Sequence, residues 1–96
     1  MSEYRITPAA ERDLEDIWTY TLKNWGLEQA NHYIDRLMVV FNALSQSPKT
    51  APACDHILLG YRRRSFERHM VYCRITNYGI EVVRILHVSM DALSRL

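Results

Sequence analysis

Residues 60–88, GYRRRSFERHMVYCRITNYGIEVVRILHV, decide the fold. Three β-strands follow one another in this stretch. The first, Tyr61 to Phe66, carries Arg62, Arg63 and Arg64 side by side. The second, His69 to Ile75, sets Val71, Cys73 and Ile75 against Met70, Tyr72 and Arg74, the period of two that sends alternate side chains to opposite faces of a sheet. The third, Ile80 to Val88, is rich in β-branched residues and long enough to lie in the middle of a sheet. Asn77-Tyr78-Gly79 is a short link ending in a residue that tolerates positive φ, and Glu67-Arg68 is shorter still. Links this short force antiparallel neighbours, because a parallel pair needs a crossover of about a dozen residues or more.

Upstream, Glu3 to Thr7 alternates Tyr4 and Ile6 with charged neighbours and predicts a short strand. Thr7-Pro8 is a helix start: the threonine hydroxyl caps free N–H groups and proline loses nothing at the first helical position. Ala10, Leu14, Ile17, Trp18, Thr21, Leu22 and Trp25 recur at helical spacing, and this stripe places both tryptophans in the core. Gly26 ends the helix. A second helix runs from Leu27 or Glu28 to about Ser45 with the stripe Ala30, Tyr33, Ile34, Leu37, Met38, Phe41 and Leu44. So short a link makes the two helices an antiparallel hairpin. Residues 45–59, with Pro48 and Pro52, read as an irregular connection, and Ser89-Met90-Asp91 either caps a last turn running to Leu96 or stays loose.

The order is β-α-α-β-β-β, a two-layer α+β fold in one domain over residues 1–96, its helical hairpin packed on one face of a mostly antiparallel sheet. No element is left for the opposite face. Arg62, Arg64, Met70, Tyr72, Arg74 and Arg84 are expected there, and arginine mixed with Met and Tyr suits a partner-binding surface. Charge supports this division. Residues 1–59 hold five Lys/Arg and eight Asp/Glu, whereas residues 60–96 hold seven Arg, no Lys and three acids. Arginine grips carboxylates and phosphates with two prongs, so the bias favours recognition.

Site chemistry is sparse. His69, His87, Arg74 and Arg84 could form a base and anion clamp for RNA cleavage, but histidines at strand ends bonded to neighbouring loops are the plainer reading. Glu11, Asp13, Glu15 and Asp16 span more than one helix face and read as a solvated helix start. Cys54 and Cys73 form neither a disulfide framework nor a metal spacing, and no phosphate loop or zinc motif is present. No catalytic residue, metal or cofactor is therefore assigned. The start Met1-Ser2-Glu3 leads into a polar strand, and the longest apolar run is too short to span a bilayer, so a cytoplasmic protein without membrane contact is expected.

TPAAERDLEDIWTYTLKNWG (7–26), GYRRRSFERHMVYCRI (60–75) and GIEVVRILHVSMD (79–91) resemble, in order, the opening helix, central hairpin and last strand with tail of the ParE branch of the RelE/ParE toxin superfamily. That resemblance implies a type II toxin that inhibits DNA gyrase and is neutralised by a ParD-type antitoxin lying across it. The pair would repress its own promoter, with operator DNA reached only through the antitoxin. It makes Arg62, Arg64, Met70, Tyr72, Arg74 and Arg84 candidate antitoxin contacts, and His87, Met90 and Asp91 candidates for gyrase contact or tail function. Two alternatives stay open: ribosome-dependent mRNA cleavage of RelE type, with His87 resembling the histidine of some such nucleases, and a non-toxic repressor partner. Against cleavage, His69 stands where one relative would have an arginine, and residues 60–96 lack the lysine cluster of others.

Overall fold

The computed structural model describes residues 2–96. Its elements are β1 (Glu3–Ile6), α1 (Pro8–Trp25), α2 (Leu27–Gln46), a 3-10 turn (Pro48–Thr50), β2 (Tyr61–Phe66), β3 (His69–Ile75), β4 (Gly79–His87) and α3 (Ala92–Arg95). The capping logic of the sequence holds. Thr7 Oγ1 accepts from the Ala10 N–H, Pro8 opens α1, and Gly26 closes it at φ 92°. Asp91 caps α3 through the Leu93 N–H.

The sheet order is β1-β4-β3-β2. β2, β3 and β4 form the expected antiparallel meander, and β1 adds in parallel to β4, which is therefore central. Gly79 does more than turn the hairpin. A Cβ there would lie 2.0 Å from the Glu3 carbonyl oxygen, so glycine is what lets β1 approach β4. One irregularity shapes the far half of β4: Tyr72 faces Arg84 while Cys73 faces Val82, leaving Val83 as an extra residue. Its effect is to change parity, so that Ile80 and Val82 before it and Ile85 after it all reach the helical side.

The main core lies between the helical hairpin and the sheet, with Leu14, Ile17, Leu37, Phe41 and Leu44 packed on Val71, Cys73, Ile80, Val82 and Ile85. The opposite face of the sheet corrects the sequence reading, which left it bare. Tyr72 (4% exposed), Leu86 and Cys54 form a second buried cluster, closed by Ile57, Tyr61, Met70, Ala92 and Leu96. The covering comes from the irregular connection and the C-terminal turn, which carry too few apolar residues in any period to be read as a layer. Trp25 is the other correction: at 71% exposure it lies outside the core. The last buried residue of α1 is Thr21, so the apolar stripe outruns the sheet by one turn. Trp18 is half-buried, its Nε1 donating to Asn31 Oδ1 at 2.9 Å. No helix among the described residues is long and apolar enough to cross a membrane.

Candidate functional site

The arginines expected on one open face do not share it. Register pairs Arg62 with Cys73 and Arg64 with Val71, which places both on the helical side of β2. One residue of register decides this, and the sequence of β2 alternates too weakly to fix it. There Arg62 Nη1 donates to the Ala51 carbonyl at 2.8 Å and Arg64 Nη2 to the Thr50 carbonyl at 2.8 Å. Arg63 pairs with Tyr72 on the other face. Arg74 is exposed and bonded to Glu81 at 2.7 Å. Arg84 makes a two-pronged pair with Asp13 and donates from Nη1 to the Arg95 carbonyl, which ties the C-terminal turn down. Tyr72 is buried and Met70 half-buried in the second cluster, so neither offers the open surface expected of it.

A different surface gathers functional groups. Where the closed end of the helical hairpin meets the ends of β3 and β4 there is a cleft of about 870 Å³. Its lining combines apolar and aromatic residues, Ile17, Tyr20, Trp25 and Met90, with Tyr33, Arg36, Arg68, His69 and His87. Tyr20 and Trp25, 66% and 71% exposed, form its rim. The helical stripe itself could have flagged the rim: Tyr20 lies off the stripe, and Trp25 sits beside the hairpin turn, where no second layer follows. Tyr33, Arg36 and Arg68 carried no signal in the sequence, since only the fold brings α2 to the turn between β2 and β3.

The two histidines meet, as neither strand alone foretold. His69 and His87 are register partners with ring centroids 5.5 Å apart, edge to face. Tyr33 Oη and His69 Nδ1 share a hydrogen bond of 2.7 Å, so His69 is bonded to a helix rather than to a loop. His87 follows the plainer reading: its Nδ1 accepts from the Ser89 N–H at 3.1 Å, with Ser89 Oγ at 2.7 Å. An Nδ1 that accepts leaves the proton of the neutral ring on Nε2. Burial, and next the neighbouring His87, hold His69 below the usual imidazole range, while Asp13 opposes them. Burial also raises the Tyr33 hydroxyl, aided by Glu67. Arg36 is held by Glu67 at 2.7 Å and lies over the Phe66 ring. Arg68 makes no side-chain hydrogen bond or ion pair among the described residues, its backbone carbonyl alone accepting from Val88.

The remaining groups are less suited to chemistry. Arg74 and Arg84 stand apart from the histidines, so the four-residue clamp does not assemble. Asp91 is occupied as the cap of α3, whereas His87 and Met90 both line the cleft. Cys54 and Cys73 are free and buried, and burial pushes the Cys73 thiol up to about 11. No group of three or more His, Cys, Asp or Glu among the described residues could hold a metal ion. The cleft thus offers apolar and aromatic surface, a guanidinium without a side-chain partner among the described residues and two imidazoles edge to face, a set suited to gripping an amphipathic partner.

The family model described as "ParE toxin of type II toxin-antitoxin system, parDE" matches residues 4–92. Among curated proteins, Toxin ParE1 of Mycobacterium tuberculosis is 41% identical over 91 residues, covering 94% of this chain and 93% of its own length. Toxin ParE1 of Caulobacter vibrioides is 35% identical over 96 residues, covering 100% and 99%, and Toxin ParE of Escherichia coli is 33% identical over 98 residues, covering 100% and 94%. Among solved structures, a chain of the chromosomal ParDE TA system from P. aeruginosa superposes with a TM-score of 0.78 at 20% identity, over 91% of this chain and 96% of that one.

Proposed function

The chain belongs to the ParE family of type II toxins, and from that premise we propose that it inhibits DNA gyrase in the cytoplasm and is neutralised by a ParD-type antitoxin. Its action is read as binding, with no bond-breaking chemistry of its own and no cofactor. One observation supports this reading beyond family membership: the aromatic rim of the cleft, Tyr20 and Trp25, stands exposed beside the unpaired guanidinium of Arg68. Aromatic residues and arginine dominate the energetics of protein interfaces. An amphipathic antitoxin helix would seat apolar side chains on Tyr20, Trp25 and Met90 and a carboxylate on Arg68.

Such an occupant would cover His87 and Met90, the tail residues proposed to contact gyrase. Neutralisation then follows from competition for one surface, and is reversed when the antitoxin is degraded. Of the antitoxin contacts expected from sequence, exposed Arg74 remains accessible to a segment that continues beyond the cleft. The complex would repress its promoter through the antitoxin's own contact with operator DNA. The test is gyrase supercoiling with the purified chain: inhibition relieved by equimolar antitoxin is expected, and unimpaired supercoiling at a large molar excess of the chain would sink the reading.

The meeting of Tyr33, His69 and His87 favours a second reading, mRNA cleavage of RelE type, because a neutral imidazole beside a hydroxyl is an acid–base pair. Primer extension on messages after induction would show discrete cuts under this reading and none under the first.

A further inference from the structure

Between Ser47 and Phe66 the chain carries Lys49, Arg62, Arg63 and Arg64 against one acid, Asp55. The Asp55 carboxylate accepts from the Gly60 N–H, and among the described residues none of the three arginines forms an ion pair. Arg62 and Arg64 are instead braced on backbone carbonyls. Arg62 Nη1 reaches Ala51 O at 2.8 Å, and Arg64 Nη2 reaches Thr50 O at 2.8 Å and Thr50 Oγ1 at 3.0 Å. A carbonyl fixes the position of a guanidinium without cancelling its charge. The two lie on the same face of β2, two residues and so about 6–7 Å apart. Lys49 is exposed and next to Thr50 in the chain.

We propose that this braced ridge on the edge strand β2 contacts the phosphate backbone of duplex DNA. Three features select a polyanion of this kind. First, the charge is local: net charge is only +1 for the whole chain, yet residues 47–66 hold four cations against one acid, Arg63 alone of the three arginines facing the other side of β2. Second, Arg62 and Arg64 are fixed side by side on one face, where a backbone carrying one negative charge per residue can meet both together. Third, Arg62 bonds its carbonyl through Nη1 alone among the described residues, so its Nε–Nη2 edge can take a phosphate with two prongs.

The choice of duplex DNA over RNA rests on the gyrase reading, in which the chain works beside DNA; the binding itself is tested with gyrase absent, so the two can fail separately. The full-length chain is titrated onto a labelled duplex of about 20 base pairs over a range of salt, read by fluorescence anisotropy. Binding at low salt is expected, with log affinity falling linearly against log salt. The double variant Arg62→Gln/Arg64→Gln should bind at least about tenfold more weakly at low salt, with the slope shallower by about 2. Lys49→Gln, at an exposed position without side-chain bonds, should lose about 1 from the slope and gives the answer even if the double variant unfolds by circular dichroism. Failure to bind the duplex at low salt, or slopes unchanged in the folded variants, would overturn the proposal. Tighter binding of a polyglutamate peptide or of single-stranded RNA than of the duplex would overturn its choice of partner.

Discussion

Asp13 on α1 and Arg84 on β4 form a two-pronged ion pair, Nε to Oδ2 and Nη2 to Oδ1 at 2.8 Å each, and Asp13 Oδ2 also accepts from the Ile85 N–H at 3.0 Å. The reason for this pair lies in the sheet. β1 covers β4 only from Gly79 to Val82, and past that point the central strand has no neighbour on that side. Thr7 takes up the Val82 and Val83 carbonyls, and Asp13 takes up the next N–H, so the start of α1 stands in for a missing strand. With side chains 11% and 21% exposed, removal of one partner strands the other's charge. Asp13→Ala is expected to cost about 3–5 kcal/mol in urea unfolding. Asp13→Asn, which keeps an acceptor for the Ile85 N–H, should cost less. Equal losses for the two variants would mean that the charge plays no part.

Little of this arrangement was legible in the sequence, and the reasons are physical. Periodicity marks residues that face a layer, so the helical hairpin, the meander and the caps at Thr7 and Gly26 could be read directly. It is silent on what a loop does. The second cluster around Tyr72 is closed by Ile57 and Leu96, which belong to no repeating pattern, and the parity change at Val83 cannot be counted from β4 alone. Arg84 in particular looked like a recognition residue because its partner, Asp13, is 71 positions away.

The His69 site makes stability depend on pH in one direction. His69 has a folded pKa below its ordinary 6.5, because burial and the neighbouring His87 disfavour the charged ring. Above that ordinary value both folded and unfolded chains hold it neutral, and its contribution is fully present. As pH falls from there toward the depressed folded value, the unfolded chain takes up the proton first and stability is lost. The charged or titratable groups around it are Tyr33, His87, Asp13, Asp16, Arg36, Glu67 and Arg68. Thermal midpoints measured from pH 7.5 downward should therefore fall more steeply for the native chain than for His69→Gln; parallel curves would assign the dependence elsewhere.

Two glycines with positive φ separate backbone conformation from close approach. At Gly26 (φ 92°) an added Cβ meets nothing within 4 Å, so Gly26→Ala carries only the conformational cost, about 1 kcal/mol. At Gly79 (φ 144°) the same carbon falls 2.0 Å from Glu3 O and 2.8 Å from Glu3 N. Backbone cannot rotate aside as a side chain would, so β1 must leave the sheet. Gly79→Ala is expected to cost at least about 3 kcal/mol. Hydrogen exchange should locate the loss at the Glu3 and Thr7 amides, which donate to Tyr78 and Val82. Equal costs at the two glycines would show that β1 is not held by that contact.

Trp25 distinguishes a residue kept for a partner from one kept for the fold. A tryptophan that is 71% exposed contributes little to folding, so Trp25→Ala should leave the unfolding free energy within about 0.5 kcal/mol of the native value. Trp18→Ala supplies the contrast, because it removes a half-buried ring and its bond to Asn31 and should destabilise measurably. In calorimetric titration with the antitoxin the order should reverse. Trp25→Ala is expected to lose about 2 kcal/mol, roughly thirtyfold in Kd. Trp18→Ala should bind near normally once folded. If inhibition of gyrase survives in Trp25→Ala while the antitoxin no longer relieves it, the rim belongs to neutralisation alone. Loss of both together would mean that gyrase and antitoxin use the same tryptophan.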